Sequence, residues 1–169
     1  MEKIFYTDNF QPPSKEAVKE ILSKIFGIDE EIVQNENGKP YLKSGKLFFS
    51  VTHTKNRLFI ALSSESVGVD AEHKTRKTNC SALMKKFTLE EQNSLSSPTD
   101  FLRLWTKKES VVKYMGGSIV KDLKKIECLH EKAYFDGEEL PCHLTELEFD
   151  GYILSVCGKI FQGVTPQIY

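Results

Sequence analysis

The sequence predicts an α+β fold built from two small lobes, each an antiparallel sheet packed with helices. Before residue 66 a helical pattern is followed by short apolar runs, and the same order of helices and then strands returns after it. The tail also contains two Asp-Gly pairs between apolar runs, which are typical of tight hairpin turns. We therefore predict a first lobe at residues 1–66 and a second lobe at residues 67–169, related by pseudo-symmetry.

The first lobe is predicted to contain one helix and several short strands. Val18, Ile21 and Leu22 recur at the spacing of one helical face, and Gly27 is a typical helix end. The apolar runs that follow are bounded by turn residues, which favours strands. The predicted elements are a strand at 3–7, a helix at 14–27, and strands at 31–34, 47–51 and 58–62. We expect a further strand at 67–71 to join the last two in a central antiparallel sheet.

The second lobe is predicted to contain helices followed by two hairpins. Thr88 opens the pattern T-L-E-E, a capping box in which Glu91 occupies the reciprocal position. Apolar residues between 101 and 115 give an amphipathic helix, which Gly116 and Gly117 end. The predicted hairpins are 132–140 and the pair 144–149 with 152–157.

The bulk composition argues against several classes of protein. The 169 residues carry a formal net charge of -1, so no nucleic-acid partner is expected. None of the four cysteines forms a C-x-x-C pair, which argues against a zinc site or a dithiol redox motif. No apolar run approaches the roughly 20 residues of a membrane span, and no signal peptide is visible. We therefore expect a cytoplasmic protein that does not associate with membranes.

Two acidic residues near the middle of the chain could hold a divalent cation. Alternate side chains of a strand share a face, so Asp70 and Glu72 in the segment VGVDAE point the same way. Two like charges on one face repel each other, and a bound cation such as Mg²⁺ would remove that repulsion. The plain alternative is a strand end whose acidic residues face water.

The segments around this acidic strand add groups that could bind phosphate. In LWTKKESVVKYMGG, Glu109 and Lys113 are either an ordinary helix ion pair or a third metal ligand beside a phosphate-binding amine. In FSVTHT, His53 lies between two threonine hydroxyls at the end of an apolar strand. Lys39 lies on a turn before Pro40. The residue types together suit a cation and a polyphosphate.

The order of these segments resembles the 4′-phosphopantetheinyl transferases. Gly-Lys-Pro comes first, followed by FSVTHT, VGVDAE and WTKKESVVK, and the last is the most diagnostic because W, KE and K stand at the family's spacing. The similarity is to the pseudo-dimeric, surfactin-type branch and covers roughly residues 14–157. It implies that family's fold, with a shortened N-terminal lobe and a metal site in the second lobe.

The resemblance implies an enzyme of the holo-[acyl-carrier-protein] synthase type. Such enzymes move the 4′-phosphopantetheine arm of coenzyme A to a serine of an apo acyl or peptidyl carrier protein and release 3′,5′-ADP. Coenzyme A is then the co-substrate, and Mg²⁺, with Mn²⁺ as the alternative, is the cofactor. The implied metal ligands are Asp70, Glu72 and Glu109. The implied phosphate-binding residues are Lys39, Thr52, His53, Lys108 and Lys113. The implied catalytic residues are Glu109 as general base, Lys113 at the leaving phosphate, and His53 as a donor to a phosphate oxygen.

Two features concern how substrates would be held. Compared with the family pattern, the first lobe is expected to lack the helix that carries basic contacts to the adenosine 3′-phosphate in longer relatives, and Arg57, Lys43 or Lys46 are candidate replacements. A basic run at 74–86 is either an ordinary solvated face or a docking surface for an acidic carrier protein. The candidate docking residues are Lys74, Lys77, Lys85 and Lys86.

Two other functions stay open at this point. The chain could be a degenerate family member that binds coenzyme A without transferring it. It could also be a small binding module that uses the basic run. Because both halves of the site lie on one chain, a monomer is expected.

Overall fold

The computed structural model describes residues 2–8, 14–77 and 80–169 and confirms the α+β class. Small antiparallel sheets are combined with a few helices. The strands are β1 (Lys3–Thr7), β2 (Ile32–Gln34), β3 (Pro40–Leu42), β4 (Phe48–Thr54), β5 (Arg57–Ser63), β6 (Gly68–His73), β7 (Ile126–Leu129), β8 (Lys132–Phe135), β9 (Glu138–Glu139), β10 (His143–Phe149), β11 (Tyr152–Gly158) and β12 (Gln167–Ile168). The helices are α1 (Ser14–Phe26), α2 (Cys80–Met84), α3 (Leu89–Ser94), α4 (Pro98–Met115) and α5 (Ile119–Asp122), followed by a 3-10 turn at Leu123–Lys125.

Several local predictions are confirmed by the geometry. The capping box of α3 is present, with the Thr88 hydroxyl and the Glu91 carboxylate each accepting from the other residue's backbone. Both Asp-Gly hairpin turns form with positive φ at the aspartate and the glycine, as a tight type I′ turn requires. Helix α4 begins one turn earlier than predicted, because Ser97 caps it and Pro98 occupies its first position.

The sheet pairing differs from the prediction at β6. β5 lies between β1 and β4 in one sheet, so both of its edges are already paired. β6 instead pairs with β11, which also pairs with β10 in a second sheet. The predicted central sheet containing β6 is therefore wrong, since its true partner lies far along the chain.

The two sheets pack face to face with helices outside them. Along β5, Leu58, Ile60 and Leu62 contact α1, whereas Phe59 and Ala61 face the second sheet. β11 alternates in the same way: its even-numbered apolar residues face the first sheet, and its odd-numbered ones lie in the core that contains α4. β12 pairs in parallel with β1, so the end of the chain returns to the first sheet. The lobe boundary between residues 66 and 67 stays a prediction.

Arg57 joins the two sheets at one end. Its guanidinium donates to Asp8 at 2.5 Å and to Asp150 at 2.9 Å, and it lies over the rings of Tyr6 and Tyr152 at 4.8 and 4.9 Å. Asp150 is in the β10–β11 hairpin, so the contact spans both sheets. The structure therefore does not support Arg57 as a contact to the adenosine 3′-phosphate.

In the described part of the chain, no helix is both long enough and apolar enough to cross a bilayer.

Candidate functional site

A cavity of about 730 Å³ is lined by residues of α1, β4, β6 and α4 and of the turn between β2 and β3. This volume is within the usual range of small-molecule sites. Its wall includes most of the residues predicted from the sequence, namely Lys39, Thr52, His53, Asp70, Glu72, Glu109 and Lys113. Segments that are distant in the sequence therefore converge on one space.

β6 presents its two carboxylates on one face, as the alternation of its sequence predicts. Val69 and Ala71 are buried in the core between the sheets, and Asp70 and Glu72 line the cavity. β6 lies beside the edge strand β4, in which the alternate residues Ser50, Thr52 and Thr54 bear hydroxyls. The contacts between the strands are Ser50 Oγ accepting from Val69 N (3.0 Å), Thr52 Oγ1 donating to Asp70 (2.9 Å) and Thr54 Oγ1 donating to Glu72 (3.2 Å). The hydroxyls of FSVTHT thus hold the acidic strand in place, and Thr52 reaches the site through Asp70.

Gly68 allows α4 to cross β6 at very short range. A Cβ at this position would collide with the carbonyl oxygen of Ser110 and the backbone nitrogen of Tyr114. The glycine of VGVDAE is therefore required by the helix that passes over it. This crossing places Glu109 and Lys113 of α4 beside Asp70.

Asp70 is the most enclosed charged group of the cavity. Its side chain is 4% exposed, and Oδ1 accepts from Lys113 Nζ at 2.7 Å as well as from Thr52. Oδ2 is buried and has no hydrogen-bond partner among the described residues. A buried carboxylate oxygen without a partner carries a desolvation cost that a bound cation would offset.

Glu72 is paired with a residue that the sequence reasoning missed. Its carboxylate forms an ion pair with Arg76, four residues later in the chain, and accepts a hydrogen bond from Thr54. Arg76 also lines the cavity. Lys113 and Arg76 thus neutralise the two carboxylates of β6, and within the described ranges no three His, Cys, Asp or Glu side chains are grouped closely enough to hold a metal ion.

Glu109 is held in an environment that favours its protonated form. Burial, and after it the nearby charge of Asp70, raise the pKa of Glu109 to about 7, although Lys113 partly opposes the shift. A carboxylate whose pKa lies near neutrality can accept a proton at physiological pH.

The same pKa shift predicts how stability depends on pH. Between pH 4.5 and about 7, native Glu109 keeps a proton that the unfolded chain releases, so it lowers the free energy of unfolding as pH rises through this window. Glu109→Gln should therefore stabilise the protein by about 2–3 kcal/mol above pH 7 and by little near pH 4.5. Urea unfolding of both proteins at four pH values measures the difference. If the free energies of unfolding of the two proteins changed with pH in the same way, the raised pKa of Glu109 would be contradicted.

Lys108 does not reach the cavity. Its side chain is 0% exposed, and Nζ forms an ion pair with Glu91 at 2.7 Å and donates to the carbonyl of Ile126. Adjacent residues of a helix point about 100° apart, so Lys108 faces the core while Glu109 faces the cavity. The structure therefore does not support the phosphate contact expected for Lys108.

Lys39 lines the cavity, but its amine is engaged by the backbone. Nζ donates to the carbonyls of Val67 (3.1 Å) and Tyr114 (3.2 Å). His53, by contrast, is an exposed residue of the cavity wall. Of the predicted phosphate contacts, His53 and Lys113 are the two whose positions best suit a ligand.

One more basic residue of the cavity wall was not indicated by the sequence. Lys15 stands in the first turn of α1 and lines the cavity with Val18. The only sequence signal was a lysine at a helix start, which is too common to single out. Lys43 and Lys46, the other candidates for the 3′-phosphate, are exposed and are not among the described residues that line the cavity.

Residues 66–157 match the family described as the 4′-phosphopantetheinyl transferase superfamily. This segment contains β6, α4 and β11. The chain is 32% identical to the 4′-phosphopantetheinyl transferase AcpT of Salmonella typhi over 162 residues, which cover 89% of this chain and 79% of the relative. It is 32% identical to AcpT of Escherichia coli strain K12 over 120 residues, covering 64% and 62%. It is 25% identical to the 4′-phosphopantetheinyl transferase gsp of Aneurinibacillus migulanus over 162 residues, covering 88% and 67%.

Proposed function

Since this chain belongs to the 4′-phosphopantetheinyl transferase superfamily, we propose that it transfers the 4′-phosphopantetheine arm of coenzyme A to a serine of an apo carrier protein. The reaction requires Mg²⁺ and releases 3′,5′-ADP, as for a holo-[acyl-carrier-protein] synthase. The observation that supports this most is the single cavity in which carboxylates of β6 and α4 meet basic residues of both lobes.

The carboxylate oxygens are the ligand type that a hard divalent cation prefers, but the three side chains would have to move closer together, and their cationic partners aside, to hold it. Asp70, Glu72 and Glu109 would supply the oxygens, and Oδ2 of Asp70, which is buried without a hydrogen-bond partner, is the oxygen best suited to bind the cation. When bound, Mg²⁺ would neutralise charge on the pyrophosphate of coenzyme A. Glu72 can contribute only if Arg76 releases it, because the two side chains are paired in the structure.

Glu109 has a second role in the proposal, and with the basic groups of the cavity it suits the transfer itself. Glu109 accepts the proton of the carrier serine, whose Oγ forms a bond to the phosphorus that bears the pantetheine arm. The bond from that phosphorus to the oxygen shared with the second phosphate breaks, and 3′,5′-ADP leaves with the electron pair. Lys113 stabilises the charge on this leaving group, and His53 donates to a phosphate oxygen. Positioning and charge neutralisation are the main demands of phosphoryl transfer, and these side chains can meet them.

The stoichiometry of the products tests the proposed donor and metal. One 3′,5′-ADP should form for each carrier molecule modified, and a chelator should stop the reaction until Mg²⁺ or Mn²⁺ is restored in excess. Transfer that continues at full rate in the chelator would contradict the metal requirement. Binding of coenzyme A without any 3′,5′-ADP would instead favour the degenerate binder.

The basic run beyond β6 is proposed to dock the acidic carrier. Lys77, Lys85 and Lys86 are the candidates, since Lys74 is already paired with Glu148; residues 78 and 79 of the run lie outside the described residues. Reversing the three candidates to Glu should raise KM for the carrier about tenfold at low salt and leave the Kd of coenzyme A unchanged, because opposite charges steer the encounter.

A matched control for this docking surface reverses three lysines in surface ion pairs elsewhere, namely Lys19, Lys24 and Lys132. Both variants change the net charge equally. Equal KM values for the two variants would show that net charge, and not this surface, governs the encounter.

A further inference from the structure

The turn between β2 and β3 connects the first lobe to the end of α4. The side-chain amides of Asn35 and Asn37 both donate to the carbonyl of Gly116 at 2.9 Å. Lys39 Nζ donates to the carbonyl of Tyr114, which also accepts from the hydroxyl of Ser66 at 2.9 Å. Carbonyls at the end of a helix have no partner within the helix, so side chains from outside must satisfy them. At the end of α4, most of the side chains that donate to these carbonyls come from the turn between β2 and β3.

This turn is itself well defined. The side-chain oxygen of Asn35 accepts from the backbone nitrogens of Asn37 (3.0 Å) and Lys39 (2.8 Å). The backbone of Asn35 also pairs with Lys39 and Gly38, at 3.0 Å in each case. A turn closed by its own hydrogen bonds can hold a neighbouring helix in a fixed position.

The fit between the turn and the helix end is close. Gly116 ends α4 in the left-handed conformation with φ 67°, and a Cβ at this position would lie 2.8 Å from the Asn35 amide nitrogen. The ammonium of Lys39 also lies at the negative end of the helix dipole, where a positive charge is favourable. Burial lowers the pKa of Lys39 to about 8, in keeping with an amine enclosed by backbone.

The end of α4 carries the groups that the proposed reaction needs. Lys113 is within one turn of the contacts at Tyr114 and Gly116, and Glu109 is one turn further back. The crossing at Gly68 sets the distance between α4 and β6. The turn 35–39 holds the C-terminal end of α4. A small displacement of α4 would separate Lys113 from Asp70.

We propose that the turn 35–39 is a positioning element that holds the last turn of α4, and through it Lys113 and Glu109, in the arrangement required for transfer. Both Lys39 and Asn37 line the cavity, but in this proposal they act through the helix, since their side-chain nitrogens donate to the carbonyls of Tyr114 and Gly116. For its effect on catalysis the inference rests on the proposed function, whereas the structural contact can be tested without activity.

Hydrogen exchange and kinetics of Lys39→Met, Asn37→Ala and the double variant test this role, with Lys132→Met as the control that removes an exposed lysine of β8. We expect faster amide exchange at residues 112–117 in both single variants and normal exchange in the control. We expect kcat to fall on the order of tenfold in each single variant. In the double variant the factor by which kcat falls should be smaller than the product of the two single-variant factors, because both side chains hold the same helix end. The Kd of coenzyme A should change by less than about threefold, since no charged hydrogen bond to a phosphate is lost.

The opposite pattern would overturn the proposal. If Lys39 binds phosphate, Lys39→Met should weaken coenzyme A binding tenfold or more and leave amide exchange at residues 112–117 unchanged. Asn37→Ala should then change neither kcat nor amide exchange. A wild-type protein that transfers nothing would refute the proposed function, while the exchange measurements would still decide whether the turn holds α4.

Discussion

Asp70→Asn should lower kcat/KM for transfer by a factor on the order of 10³, while the protein still folds. The substitution keeps the shape of the side chain but removes its negative charge. The charge is lost both from the oxygen that accepts from Lys113 and from the unpartnered oxygen Oδ2. Glu109→Gln should cause a comparable loss, because it removes the proposed base. Transfer kinetics with saturating Mg²⁺ measure the effect, and direct Mn²⁺ binding should weaken in both variants.

A suitable control for these two variants is Glu138→Gln. Glu138 is an exposed carboxylate of β9 that is not among the described residues lining the cavity. It should keep wild-type transfer and metal binding. Wild-type activity of Asp70→Asn would show that the charge of Asp70 is not needed for transfer, which would contradict the role proposed for the carboxylates of β6.

Lys108→Met should destabilise the protein by about 3–5 kcal/mol, because it leaves the carboxylate of Glu91 buried without its counterion. Glu91 also accepts from the backbone of Thr88 and Cys128, so it ties α3 to β7 and cannot simply turn to water. Unfolding in denaturant measures the loss. The folded fraction should keep the wild-type Kd for coenzyme A, because the amine does not reach the cavity.

The double variant Lys108→Met with Glu91→Gln separates the buried charge from other effects. Gln at position 91 keeps an acceptor without the charge, so the pair should recover part of the stability lost in Lys108→Met alone. If Lys108→Met instead kept its stability and lost affinity for coenzyme A, the phosphate role expected from the sequence would be restored.

Local patterns allowed much of this molecule to be predicted. The capping box, the Asp-Gly turns and the alternation that points Asp70 and Glu72 to one side each depend on residues a few positions apart. Such features follow from the geometry of a single element.

Contacts between distant segments could not be predicted in the same way. The burial of Lys108 depends on Glu91 in another helix, and the pairing of β6 with β11 joins Gly68 to Cys157. Lys108 and Lys113 are five residues apart on the same helix, yet one is buried in the core and the other lines the cavity. Only the packing of α4 between the second sheet and the cavity distinguishes them.

The most direct test of the proposed function is the mass of an apo carrier protein after incubation with this protein, coenzyme A and Mg²⁺. The proposal predicts a gain of one phosphopantetheine group on the carrier serine, absent with Asp70→Asn. A panel of acyl and peptidyl carriers should be used, so that a poor match of partner is not mistaken for inactivity. No mass gain on any carrier, from a folded protein that binds coenzyme A, would contradict the proposed transfer.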